Sequence, residues 1–207
     1  MAPDREDQGF AVWVVGLPGS GKSNLARGLA ESLARDGLDP VWLQMDERRK
    51  AYFPQPQYTD EEREAAYGMF AHEAAGLVEN GRAVVMDGSA YKAAWRQRAR
   101  RLIPRFCEVH VKCTLENAMA REGGREQGLV MAGLYAKALE RKQTGKQFEG
   151  LGQVIGVDVE FEDDPAAEFT IHNDDIPKAE TLRRTLEFVR GWLAGQSGDI
   201  LSGPIGS

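Results

Sequence analysis

The chain has 207 residues, with 26 lysines and arginines against 32 aspartates and glutamates, for a formal net charge of −6. That length suits one α/β domain with a sizeable core. The acidic balance argues against a broad nucleic-acid surface, so no nucleic-acid partner is expected, but it leaves room for a local basic pocket around a phosphorylated small molecule. No apolar run approaches the roughly 20 residues that span a bilayer, so no membrane partner is expected. The polar opening "MAPDREDQG" does not read as a signal peptide. The cytoplasm is the expected compartment.

Residues 1–9 and the Gly- and Ser-rich stretch 195–207 read as flexible ends, leaving 10–194 as one domain. "FAVWVV" is the first strand. Gly21 to about Arg35 is a helix, with Leu25, Leu29 and Leu33 at i, i+4 and i+8. "PVWLQM" is the second strand, Asp60 to about Glu79 a helix, and "RAVVM" the third strand. Tyr91 to Leu102 is a helix that ends before Pro104. "FCEVHVKC" is the fourth strand, and Thr114 caps the next helix with Asn117 three residues on. "AEFTIH" is the fifth strand, and Pro177 to Leu193 is the closing helix. This alternation predicts an α/β fold, a mostly parallel five-stranded sheet with helices on both faces. Cys107 and Cys113 share a strand face and read as core thiols. His72, His110 and His172 are scattered, without metal-ligand spacing.

Ligands of such sheets bind beyond the carboxyl ends of the strands. After the first strand stands Gly16-Leu17-Pro18-Gly19-Ser20-Gly21-Lys22-Ser23, a full G-x-x-x-x-G-K-[ST] phosphate-binding loop. Its glycines let successive N–H groups point at an anion, the helix that follows from Gly21 adds its positive end, and Asn24 in that helix's first turn is counted among the nucleotide-binding residues. Lys22 is placed for the β and γ phosphates of ATP, and the Ser23 hydroxyl for Mg²⁺. Asp46 and Asp87 follow the second and third strands. A carboxylate there either organises Mg²⁺ or takes a proton from an attacking hydroxyl, and Asp87 has the Walker B form. Arg48, Arg49, Lys50 and Arg63 follow the second strand. Arg49 and Arg63 stand where an acceptor should lie, whereas Lys92, Arg96, Arg98, Arg100 and Arg101 read mostly as a solvated helix face. The polar, Gly-rich stretch 121–156 reads either as a lid over the nucleotide, with Arg121, Arg125, Lys137, Arg141 and Lys146 bringing charge to the phosphates, or as a solvent-exposed excursion.

"GLPGSGKS", "CEVHVKCTLENAMAR", "GLYAKA" and "GVDVEFEDDPAAEFTI", in that order, resemble the adenylylsulfate kinase family over roughly residues 10–175. The resemblance implies the P-loop NTPase fold, MgATP as donor, the 3′-hydroxyl of adenosine 5′-phosphosulfate as acceptor, and a homodimer. It implies that Asp46 is the base and metal neighbour and that Arg49 and Arg63 grip the acceptor's anionic end. Ser89, Lys92 and Lys137 match further acceptor-side positions, and Arg121 matches an arginine lying against the ATP base. Gln44, Glu47, Ala66, Gly68, Asp87 and Val154 depart from the family pattern, mostly on the acceptor side. Tyr67, Tyr91 and Phe148 are the aromatic groups at hand to replace lost stacking. A kinase for another anionic, nucleotide-linked or sugar-linked acceptor, and a non-catalytic ATP-binding module, are the competing readings.

Overall fold

The computed structural model describes residues 9–124 and 133–195. Residues 1–8 and 196–207, nearly all of the two end segments, lie outside the described residues, as does Arg125.

Strands β1 (Phe10–Val15), β2 (Val41–Gln44), β3 (Ala83–Asp87), β4 (Phe106–Lys112) and β5 (Phe169–His172) form one sheet. Their order is β2-β3-β1-β4-β5, and every neighbouring pair is parallel. Helices α1 (Lys22–Arg35), α2 (Met45–Tyr52), α3 (Asp60–Glu79), α4 (Ala93–Leu102), α5 (Leu115–Gly123) and α6 (Leu134–Thr144) lie in the connections, and α7 (Lys178–Leu193) follows β5. Parallel neighbours need such crossovers. From β1 the chain runs to β2 at one edge, returns to β3 beside β1, and then crosses to β4 on the other side of β1, so the carboxyl end of β1 is a switch point open to a ligand.

β1 is apolar and buried throughout because both its faces are covered. Ala11, Trp13 and Val15 pack with Met86, Phe70 and Trp95 on the α3–α4 side. Val12 and Val14 pack with Cys107, Val109, Leu29, Leu33 and Val189 on the α1–α7 side. A smaller cluster of Ala118, Leu134, Tyr135, Ala138 and Val154 joins α5 to α6. Cys107 is a core thiol as expected, whereas Cys113 lies past the end of β4 and is half-buried against that smaller cluster. Thr114 caps α5, its Oγ1 accepting the Asn117 N–H at 3.2 Å.

Two helices depart from the expected pattern. Helix α2 starts at Met45, inside the expected second strand, and Met45 and Arg49 are its buried residues. Asp46 and Glu47 in its first turn and Arg49 and Lys50 in its last match the helix dipole. Helix α6 occupies the middle of the expected lid. It is bounded by Gly133 and Gly145, both left-handed, and buries Leu134, Tyr135 and Ala138. The expected solvated face of α4 also needs correction. Arg96 is fully buried, with Nε 2.9 Å from Glu108 Oε1 on β4, and Arg100 is part of the same cluster. Arg96 also donates to the Ala90 and Glu162 carbonyls at 2.5 Å each.

Candidate active site

The loop Gly16–Ser23 leaves β1 and enters α1. Gly19 has φ 84°, and a Cβ there would stand 2.2 Å from the Ala118 carbonyl oxygen, so no side chain fits. Gly21, at φ 95°, is the N-cap of α1. The first turn of α1 holds no acidic residue, so its positive end faces the loop without an internal counter-charge. Lys22 is half-buried, and Ser23 and Asn24 are exposed. Leu17 forms part of the loop's turn, accepting the Ser20 N–H at 3.0 Å. Two side chains hold the loop's outward carbonyls. The Tyr135 hydroxyl donates to Pro18 O at 2.8 Å, and Asn173 Nδ2 donates to Ser20 O at 2.7 Å.

One cavity brings most of the expected residues together. Lys22 and Ser23 share its lining with Asp46, Asp87, Arg49, Arg63 and Ser89, and with Tyr58, Tyr67 and Glu122. Asp46 is exposed in the first turn of α2, and Asp87 is the buried last residue of β3. Ser89 precedes Ala90, which holds an unusual φ of 39°. Such a conformation costs about 1–2 kcal/mol outside glycine. The Tyr67 hydroxyl secures the turn by accepting the Ala90 N–H at 2.8 Å, while its ring stacks on Trp95 with centroids 5.0 Å apart.

Arg49 and Arg63 are both buried and already engaged. Arg49 Nη1 lies 3.0 Å from Glu62 Oε1, and its guanidinium sits 5.0 Å above the Tyr58 ring. Arg63 donates from Nε to Tyr58 O at 3.2 Å and from Nη2 to Gln153 O at 2.5 Å. Burial lowers the Arg63 pKa, yet a guanidinium stays protonated near neutrality. Burial likewise raises the Tyr58 phenol, with the Asp46 carboxylate adding to the rise.

Other expected residues stand apart from this cavity. Lys92 lies 3.6 Å from Asp60 Oδ2 and 5.3 Å from the Trp95 ring centre. Lys137 is exposed on α6. Arg121 lines a second cleft with Gly19, Gly21 and Asn24 and donates to Asp174 O at 2.9 Å. Arg141 bonds Asp158 at 2.5 Å and the Leu151 carbonyl at 2.8 Å, and Lys146 bonds Glu140 at 2.8 Å. These two cations staple their own segment instead of facing the loop. Val154 is buried in the α5–α6 cluster, and Phe148 lies under Lys146 at 4.8 Å. Sequence reasoning passed over Glu62, Tyr135 and Asn173 as working parts. Only Tyr135 carried a signal, within "GLYAKA".

The sequence profile described as adenylylsulphate kinase matches residues 8–172. The chain belongs to the adenylylsulfate kinase family. A probable adenylyl-sulfate kinase of Archaeoglobus fulgidus is 30% identical over 165 residues, covering 80% of this chain and 96% of that protein. An adenylyl-sulfate kinase of Myxococcus xanthus is 32% identical over 187 residues, covering 88% and 91%. A Mycobacterium tuberculosis APS kinase, solved with AMPPNP and APS, superposes with a TM-score of 0.72 at 22% identity over 88% of this chain and 98% of that one. That likeness establishes the P-loop kinase fold, and membership of the family makes this chain a kinase. Among the described residues, no helix is long and apolar enough to cross a membrane.

Proposed function

We propose that this kinase transfers the γ-phosphoryl group of ATP to the 3′-hydroxyl of adenosine 5′-phosphosulfate. The supporting observation is the single cavity in which Lys22 and Ser23 of the loop meet Asp46, Asp87, Arg49 and Arg63. The glycine cradle and the helix end fit a polyphosphate, and the Ser23 hydroxyl with Asp87 fits a hydrated Mg²⁺. Bound MgATP supplies the phosphoryl group and the ion that offsets its charge. Lys22 faces that charge. Asp46 accepts the acceptor's hydroxyl proton, and Arg49 and Arg63 orient its anionic end. Arg121 flanks the second cleft, into which a base attached to the phosphates would extend. By analogy with the family, the enzyme works in the cytoplasm as a homodimer.

A second reading keeps the donor and changes the acceptor to another anionic, nucleotide-linked or sugar-linked alcohol. It is favoured by the prior engagement of both arginines, with Glu62 and with backbone carbonyls. The burial of Val154 favours it too. Coupled ADP release with adenosine 5′-phosphosulfate, with product mass checked, separates the two. Acceptor-dependent turnover supports the first reading. ATP binding without turnover at millimolar acceptor moves the assignment to the second.

A further inference from the structure

Asn173 follows β5 directly and is 7% exposed. Its side chain reaches across 153 positions of sequence to donate from Nδ2 to the Ser20 carbonyl at 2.7 Å. The amide cannot rotate freely, because Thr181 Oγ1, on the first turn of α7, donates to Asn173 Oδ1 at 2.9 Å. The Asn173 N–H donates to Lys112 O at 2.7 Å, which anchors the residue to the end of β4. Thr181 is 3% exposed, so the whole relay is shielded from water. The relay also lies close against the loop's backbone, since a Cβ on Gly21 would stand 2.7 Å from Asn173 Nδ2.

A phosphate loop works by turning its N–H groups inward, which leaves its carbonyls pointing out. An outward carbonyl with no fixed partner lets the peptide plane rock, and the N–H groups on the far side of those planes rock with it. We infer that Asn173, oriented by Thr181, is a positioning residue that fixes the Ser20–Gly21 peptide, so that the loop meets a nucleotide triphosphate already in shape. The inference rests on reading Gly16–Ser23 as the phosphate cradle. Preorganisation of this kind acts on affinity for the phosphate-bearing ligand and leaves the acceptor side alone.

The test is calorimetric titration of the full chain with a non-hydrolysable ATP analogue and Mg²⁺, beside thermal unfolding. Asn173→Ala should weaken binding about tenfold, the scale of one well-ordered hydrogen bond. Asn173→Asp keeps the shape but sets a negative charge beside the cradle, and should bind more weakly than the alanine variant. A purely structural role would rank the two the other way, with the isosteric aspartate milder. Thr181→Val should weaken binding about threefold, and adding it to Asn173→Ala should cost nothing more, because both cut one relay. Nucleotide affinity within twofold of wild type in both Asn173 variants overturns the inference, as does an aspartate variant that binds more tightly than the alanine one. Should the Asn173 variants not fold, Thr181→Val decides alone, and unchanged affinity there overturns the inference. The wild-type chain and Lys22→Ala, titrated alongside, report on the cradle reading itself. No binding by wild type would overturn that reading, whereas normal binding by wild type isolates the failure to Asn173.

Discussion

Lys22 stands at the first position of α1, half-buried, where a flexible ammonium tracks a moving phosphoryl charge better than a rigid fork does. Lys22→Ala should lower acceptor-dependent ADP release by at least about 100-fold, the scale of one lost preorganised charge contact. The melting temperature should stay near wild type. Unchanged turnover would remove the loop from the chemistry. The two carboxylates differ in setting, and their variants should differ too. Asp46 is exposed on α2, whereas Asp87 is buried at the end of β3, the strand paired with β1. Asp46→Asn should therefore lower kcat about 100-fold, as loss of a general base does. Asp87→Asn should mainly raise the Mg²⁺ concentration needed for half-maximal rate. Wild-type rates in both variants at limiting Mg²⁺ would leave neither carboxylate with its proposed task.

The Tyr135 hydroxyl of helix α6 ties that helix to the phosphate loop, donating to Pro18 O at 2.8 Å, and Leu17 of the loop packs on the α5–α6 cluster that holds the ring. Removing the hydroxyl in Tyr135→Phe keeps the ring in its cluster and costs about 1 kcal/mol of docking. Amide exchange over Leu134–Thr144 should speed up while β1 and β3 stay protected, and unchanged exchange in α6 would deny the hydroxyl that coupling role. The same helix marks where sequence reasoning stops. Five strands and five helices were legible because their apolar residues repeat at strand or helix spacing over a long enough run. α6 is short, polar on most of its surface and flanked by glycines, so its pattern resembles a loop until Leu134, Tyr135 and Ala138 are seen packed on α5. α2 shows only Met45 and Tyr52 as apolar groups on its packed face, with a buried arginine, Arg49, between them where an apolar residue would stand. The Gly16–Ser23 loop was legible for a different reason. Its residues are contiguous, and backbone geometry dictates their types. Glu62 and Asn173 were not legible, because each acts through a fold contact that spacing does not encode.

At the scale of the whole molecule, β4 turns two ionisable side chains into the α4-side core, and their effects on stability oppose each other. Glu108 is wholly buried among Arg96, Arg100, Asp164 and Glu168, and burial, against the pull of Arg96, raises its carboxyl from 4.5 to about 7. His110 stacks on Phe161 near Asp163, Lys112 and His172, and burial lowers its imidazole from 6.5 to about 4. For Glu108, between pH about 4.5 and 7 the folded chain holds a proton that the unfolded chain has lost, so stability falls as pH rises. For His110, between pH about 4 and 6.5 the unfolded chain holds the extra proton, so stability rises with pH. The two slopes overlap from about 4.5 to 6.5 and offset each other in the wild-type chain. Glu108→Gln removes the falling component and leaves the His110 component exposed. Its stability relative to wild type should climb across that window by up to roughly 1 kcal/mol per pH unit. It should level off above pH 7, where Glu108 is ionised in both states. Urea unfolding of both proteins at pH 4.5, 5.5, 6.5 and 7.5 measures the difference, and the remaining titrating groups cancel in it. Parallel profiles would mean that Glu108 stays ionised in the fold throughout, its contact with Arg96 outweighing the cost of burial.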